Sequence, residues 1–191
     1  NDFDIDYSDG PINGTCPASF VRTWTAIDEC GNSSSCEQII SIDDTQAPVW
    51  DLACQLDPTF NSSETGICPE EATISLQEGQ EINIFTTWTV GGIEIPALAG
   101  CVEDNCTDVD DLVIRVADIT YGGNSCTRTI SITFVAEDLC ENVSGNFTCV
   151  YTFVDDVAPV LDCPADITVE CTSSYGPDVT GSATAIDACN D

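Results

Sequence analysis

Apolar side chains recur at every second position in several short runs of this chain, and no window sustains the spacing of an amphipathic helix. Residues 2–7 (DFDIDY) alternate strictly, and Asp9-Gly10-Pro11 then reads as a turn. Residues 22–27 (RTWTAI), within a run starting at Phe20, alternate polar and bulky side chains, and residues 37–42 (EQIISI) are β-branched. The stretch between them, 28–35, carries Gly, Asn and Ser and predicts a hairpin turn. Further strands are predicted over 72–76, 82–90, 112–120, 127–136 and 148–154, punctuated by Gly79, Gly91-Gly92, Gly100 and Gly122-Gly123. Residues 167–170 and 179–186 complete the set. Little helix is expected.

The hairpin and the segment after it occur twice. Residues 22–50 (RTWTAIDECGNSSSCEQIISIDDTQAPVW) contain a hairpin, an Asp-Asp pair and an Ala-Pro linker, and residues 130–161 (ISITFVAEDLCENVSGNFTCVYTFVDDVAPVL) keep that order. Cys16 precedes Trp24 by eight residues, as Cys126 precedes Phe134. Asp28, Cys30 and Asn32 align with Asp138, Cys140 and Asn142. With a slip of one residue, Asn1-Asp2-Phe3-Asp4-Ile5 aligns with Asp110-Asp111-Leu112-Val113-Ile114. The run Asp104-Asn105-Cys106-Thr107-Asp108 has its counterpart only in Asp187-Ala188-Cys189-Asn190-Asp191. Three units result: 1–45 as the back half of a β sandwich, 46–157 as a complete sandwich of ordinary domain size, and 158–191 as a front half. Joining residue 191 to a following residue 1 regenerates one whole domain, so the chain reads as one period of a longer array.

Charge and cysteine content narrow the setting. There are 34 acidic residues against 3 basic ones, with no His, for a net charge of −31. Arg22, Arg115 and Arg128 are the only side-chain cations, so nucleic acid is excluded as a partner and anionic membrane surfaces are disfavoured. No apolar run is long enough to span a bilayer, and no membrane insertion is expected. Thirteen cysteines approach the density of disulfide scaffolds, and without His or any Cys-x-x-Cys pair the zinc reading lacks its ligand spacing. An extracellular location, secreted or at the cell surface, is the consequence. Six of ten asparagines open an N-x-Ser/Thr triplet (Asn13, Asn32, Asn61, Asn105, Asn142 and Asn146). Chance would supply roughly two, which favours N-linked glycans over mere turn sequence. Asn32, Asn61 and Asn142 fall in predicted turns, whereas Asn105 adjoins Cys106.

The pattern CPADITVEC, TGSATAIDAC and CPASFVRTWTAIDECGNSSSCEQIISIDDTQAPV resembles the hyalin-repeat (HYR) modules of secreted surface proteins. That resemblance implies an all-β fold of tandem immunoglobulin-like β sandwiches, disulfide-stapled, with roles in adhesion and extracellular matrices and no catalytic residues. It is close over 158–191 and 1–49. It is weaker over the middle unit, where Phe134 stands for Trp24, Glu141 for Gly31, and residues 55–101 hold extra cysteines. Along the alignment it suggests Cys163 with Cys36, Cys54 with Cys149, Cys106 with Cys140, Cys189 with Cys30 of an adjoining copy, and Cys171 with Cys16. Cys126 is left with Cys68 or Cys101. Spacing alone does not decide connectivity, but an odd number leaves at least one thiol free or shared between chains. Each bridge that closes a long loop is worth about 2–4 kcal/mol.

Acids crowd the unit boundaries. Asp28, Glu29, Asp43 and Asp44 form one predicted group, and Asp138, Asp155 and Asp156 its equivalent, with Asp104, Asp108, Asp110 and Asp187 placed to fold back beside them. The linker Asp-Asp-x-x-Ala-Pro-Val is similar to cadherin linkers, which implies shared Ca²⁺, an ion that takes six to eight oxygens from flexible loops. The competing reading is a solvated acidic surface, since no loop of fixed calcium-ligand spacing is present. Trp24 and Trp88 are assigned to the core and Trp50 to the interdomain joint. Without His or Lys, a hydrolase would depend on paired carboxylates, which arise trivially among so many acids, so no enzyme is expected. The sequence therefore predicts a structural repeat of a secreted, glycosylated filament or surface fibre. Its partners would be copies of itself joined head to tail, with other matrix or surface components beside them. The alternative is the stalk repeat of a calcium-dependent adhesin that binds carbohydrate or protein.

Overall fold

A computed structural model describes residues 3–189. Fourteen strands carry the fold, and the two α-helical turns, α1 (Ser62–Thr65) and α2 (Pro177–Thr180), are four residues each. Strands β1 (Phe3–Asp9), β2 (Ala18–Asp28) and β3 (Ser33–Ile42) form an antiparallel meander on their own. The middle of the chain supplies β4 (Val49–Trp50), β5 (Thr59–Asn61), β6 (Glu81–Ile82), β7 (Trp88–Val90), β8 (Ile93–Ile95) and β9 (Val102–Glu103). The long strands β10 (Val113–Gly123), β11 (Thr127–Glu137) and β12 (Phe147–Val154) come next. A five-stranded sheet runs β5-β12-β11-β10-β6, flanked by the two-stranded ladders β4–β9 and β7–β8. Last come β13 (Val160–Asp162) and β14 (Thr184–Ile186), paired only with each other.

The core belongs to the middle unit. Strands β11 and β12 alternate buried and half-buried positions with the period of two that a pleated strand imposes. Ile114, Val116, Ile130, Ile132, Phe134, Ala136, Phe147, Tyr151 and Phe153 thereby present one face that is at most 1% exposed. The small ladders cover that face. Trp88 of β7 meets Phe134 with ring centroids 5.5 Å apart, and Trp50 of β4 stacks on Phe147. Each such large side chain contributes roughly 1.5–3 kcal/mol on burial. At the end of β7, Gly91 (φ 57°) lies so near Phe153 that a Cβ would sit 2.6 Å from its ring, so a side chain there fails twice.

Several predicted strands are shorter than the sequence suggests. The 82–90 run breaks because Asn83 Oδ1 accepts the Phe85 amide and the Asn83 carbonyl accepts Thr86 N–H, an Asx turn that leaves only β6 and β7. The 72–76 run keeps a single bridge, Ile74 to Val90. Residues 167–170 join no ladder. The 179–186 run divides into the end of α2 and β14, with Gly181 at φ 91° between them. Among the described residues, no helix is long and apolar enough to cross a membrane.

Of three disulfides, Cys16–Cys140 and Cys68–Cys189 tie the outer segments to the middle unit, and Cys54–Cys101 lies within that unit. The expected partners of Cys16, Cys54, Cys140 and Cys189 are corrected, whereas Cys36 and Cys163 are both unbridged. Cys54 meets Cys101 rather than Cys149, because the β4–β9 ladder and the bond from Asp51 N to the Cys101 carbonyl bring those two turns together. Cys149 points into the core, where loss of hydration pushes its thiol up. Cys140 reaches Cys16 and not Cys106, whose Sγ is held by Asn105 Nδ2 at 3.0 Å, and Cys16 is therefore not free for Cys171. Cys189 closes onto Cys68 of its own chain, so neither is left for Cys30 or Cys126. Cys30, Cys36, Cys106, Cys126, Cys163 and Cys171 remain exposed thiols.

Candidate junction sites

The β1–β3 meander copies the β10–β12 meander in register as well as in order. Ile5 faces Ala26 and Tyr7 faces Trp24 across β1 and β2. Ile114 faces Ala136 and Val116 faces Phe134 across β10 and β11. The slip of one residue in the alignment reappears here, since Asp4 pairs with Ile27 as Val113 pairs with Glu137. The environments are opposite. Ile114, Val116, Phe134 and Ala136 are wholly buried, whereas Ile5 is 56% and Tyr7 52% exposed. Trp24 and Ala26 are half-buried and line a shallow groove with Ile5 and Cys36. The Arg22 guanidinium lies 4.3 Å over the Tyr7 ring and binds Asp9 through both carboxylate oxygens.

A second correspondence lies in the small ladders. Val49 pairs with Glu103 and Trp50 with Val102, and Val160 pairs with Ile186 and Leu161 with Ala185. Both come after an Ala-Pro linker, and both lead into an Asp that caps its own turn. Asp104 Oδ1 accepts the Cys106 amide at 3.0 Å, and Asp187 Oδ1 accepts the Cys189 amide at 2.8 Å. The remaining counterpart residues, Asn1, Asp2, Asn190 and Asp191, lie outside the described residues. In the middle unit the ladder β4–β9 packs on the meander. The ladder β13–β14 shares no sheet with β1–β3, and Val160, Leu161 and Ile186 are each more than 60% exposed.

The hairpin loops are also twins. Asp28 Oδ1 accepts the amides of Cys30 and Asn32, and its Oδ2 accepts Asn32 Nδ2 at 2.9 Å. Asp138 makes the same three bonds with Cys140 and Asn142. Donation from the Asn32 side chain, then from its amide, holds the Asp28 carboxyl below its ordinary range. The loop needs a left-handed residue, supplied by Gly31 (φ 85°) in one copy and by Glu141 (φ 65°) in the other.

The predicted acid groups are sorted differently from the sequence expectation. Asp44, Asp104 and Asp138 come together, with one carboxylate oxygen of each within 4.8 Å of the others. Asp43 turns instead toward the Cys16–Cys140 bridge, whose sulfurs are consumed by that bond. Asp155 and Asp156 stay beside α1, where Asp156 accepts the Ser63 hydroxyl at 2.6 Å and the Ser63 amide at 2.8 Å, bonds that lower its pKa. Asp28 and Glu29 lie on an exposed turn, Asp187 is half-buried in its own turn, and Asp108 and Asp110 are exposed, all outside this cluster. The reason is geometric: residues 43–49 lead straight into β4, so Asp44 lands against the loops after β9 and β11. Asn142, in the loop after β11, fastens that linker by donating Nδ2 to the Asp44 carbonyl at 3.0 Å. No local pattern of residues signals this bond. No family model matches the chain.

Proposed function

We propose that this chain is the structural repeat of a secreted, glycosylated filament or surface fibre, whose copies join head to tail. One observation carries the reading. The groove face of β1–β2 holds the register positions that form the buried core of β10–β11, and its covering ladder has a counterpart, β13–β14, elsewhere on the same chain. Placing β13–β14 of one copy over Ile5, Tyr7, Trp24 and Ala26 of the next rebuilds the middle unit's arrangement. It also hides apolar surface that a lone copy leaves in water. The finer fold reading, tandem immunoglobulin-like sandwiches of the hyalin-repeat kind, derives from that completed unit. Three disulfides and six sequons fit an oxidising, extracellular setting. Because the joining patches differ, the contact is heterologous and propagates as an open fibre unless its rotation closes. The exposed thiols Cys30 and Cys36 on one side and Cys163 and Cys171 on the other are the pairs available to lock it.

Hydrogen exchange read alongside electron microscopy tests this. Amides of β1 and β2 should be protected in fibres and fast in dispersed copies, and Trp24→Asp should yield dispersed copies that keep the middle unit folded. Fibres that form unchanged with Trp24→Asp would sink the reading.

A further inference from the structure

We propose that Asp44, Asp104 and Asp138 bind one hard divalent cation, of calcium type, that clamps the 43–49 linker onto the middle unit. The inference rests on this chain's own fold and stands whether or not copies join. Asp44 is 8% and Asp138 5% exposed, so these carboxylates are largely out of water. Each of the three spends its Oδ1 on backbone amides: Asp44 on Gln46, Asp104 on Cys106 and Thr107, Asp138 on Cys140 and Asn142. Those bonds fix the carboxylates in place, and the second oxygen of Asp138 also accepts Asn142 Nδ2. The Oδ2 atoms of Asp44 and Asp104 are buried with no N–H or O–H donor in reach, and only the weak Cys106 thiol approaches Asp44. Burying a carboxylate oxygen with no donor is costly unless a positive charge compensates it.

The chain has no such charge to offer. It contains no Lys and no His, and its three arginines are engaged elsewhere. Arg22 pairs with Asp9, Arg115 with Glu81 and Glu137, and Arg128 donates to the Glu70 carbonyl. Compensation must then come from solution. Calcium–oxygen distances of about 2.3–2.6 Å let two oxygens of one shell lie up to roughly 5 Å apart, which accommodates the 4.8 Å spread. The ligands are all oxygen, which selects against soft metals. Since Asp44 belongs to the linker and the other two to loops of the middle unit, the ion fixes the angle between that unit and the β1–β3 meander.

The test uses the full chain stripped with EDTA and titrated with CaCl₂ by calorimetry, with melting followed in parallel. One saturable site per chain is expected above weak surface binding, together with a rise in Tm on adding Ca²⁺. Asp44→Asn and Asp104→Asn should each weaken that site at least tenfold. In EDTA both should melt no lower than wild type, since each removes a repelling charge, and Ca²⁺ should no longer raise their Tm. Asp166→Asn, at an exposed position, should behave as wild type. Absence of a saturable site, equal losses in Asp44→Asn and Asp166→Asn, or an undiminished Ca²⁺-dependent Tm rise in Asp44→Asn would each overturn the proposal.

Discussion

Trp50 lies stacked on Phe147, ring centroids 4.6 Å apart and planes 14° from parallel, with its indole N–H donated to Ser144 Oγ at 2.9 Å. That hydroxyl also accepts the Ala136 amide, so one serine ties the first residues after the linker to the middle of the main sheet. Trp50→Ala should therefore destabilise the middle unit by about 3–5 kcal/mol in urea unfolding. Trp24→Ala, at a half-buried position in dispersed copies, should cost much less. Equal losses would mean that the β1–β3 face is already covered.

Glu141 holds a left-handed conformation that costs a non-glycine residue about 1–2 kcal/mol. Glycine gives back part of this through its own entropy, roughly 0.5–1 kcal/mol. Glu141→Gly should raise stability by about 0.5–1 kcal/mol, and Gly31→Ala in the twin loop should lower it. Calorimetric melting of the two variants decides this, and a destabilised Glu141→Gly would contradict the loop geometry.

Asn142 donates its side-chain nitrogen to both Asp138 Oδ2 and the Asp44 carbonyl, and a glycan would replace one of those hydrogens. Asn32 makes one such bond, and Asn146 is exposed. Glycopeptide mass spectrometry should find Asn32 and Asn146 modified and Asn142 bare, in contrast to the turn-based expectation. Full occupancy at Asn142 would mean that the linker is not held as described.

Asp28 and Asp156 have carboxyl pKa values below the ordinary 3.8, each because side-chain and backbone donors favour the ionised form. A depressed folded pKa supplies stability that is present above the unfolded value and is lost as pH falls through the folded one. The Asp28 loop and the Asp156–Ser63 contact should thus stay intact down to about pH 4 and loosen only below it. Carbon-detected NMR titration should show both midpoints below the ordinary 3.8, and midpoints above it would refute the assignment.

Legible and hidden features of this sequence divide along physical lines. The hairpin around 28–35 and the strands β10 to β12 are legible because alternation, β-branching and turn residues are local signals. The one-residue slip between Asp4 and Val113 is legible because register repeats with the sequence. The disulfide partners are not, since Cys54 finds Cys101 only once β4 and β9 have paired, and Cys16 finds Cys140 only through the path of the linker. Asp43 and Asp44 are neighbours in the chain and part company in space for the same reason. The break at Asn83 has a local signature, an Asn two residues before Phe85, which the flanking apolar run conceals.

Two of the bridges also decide how the molecule meets a pull along its length. Besides the longer stretch from Cys68 to Cys140, the Cys16–Cys140 and Cys68–Cys189 bonds create two short covalent routes side by side between Cys16 and Cys189. One crosses to Cys140 and continues along the chain through the 155–160 linker. The other runs along the chain through the 43–49 linker to Cys68 and crosses there. Each spans about 50 residues, on the order of 170 Å if drawn straight, against roughly 600 Å for the unbridged chain between the same two points. Single-molecule stretching should show that short limit, and a reductant should release the rest. Neither linker takes the tension alone, so a fibre of such units would yield by parting its sheets within a fixed tether, with its thread of peptide doubled wherever a single strand would otherwise be drawn out.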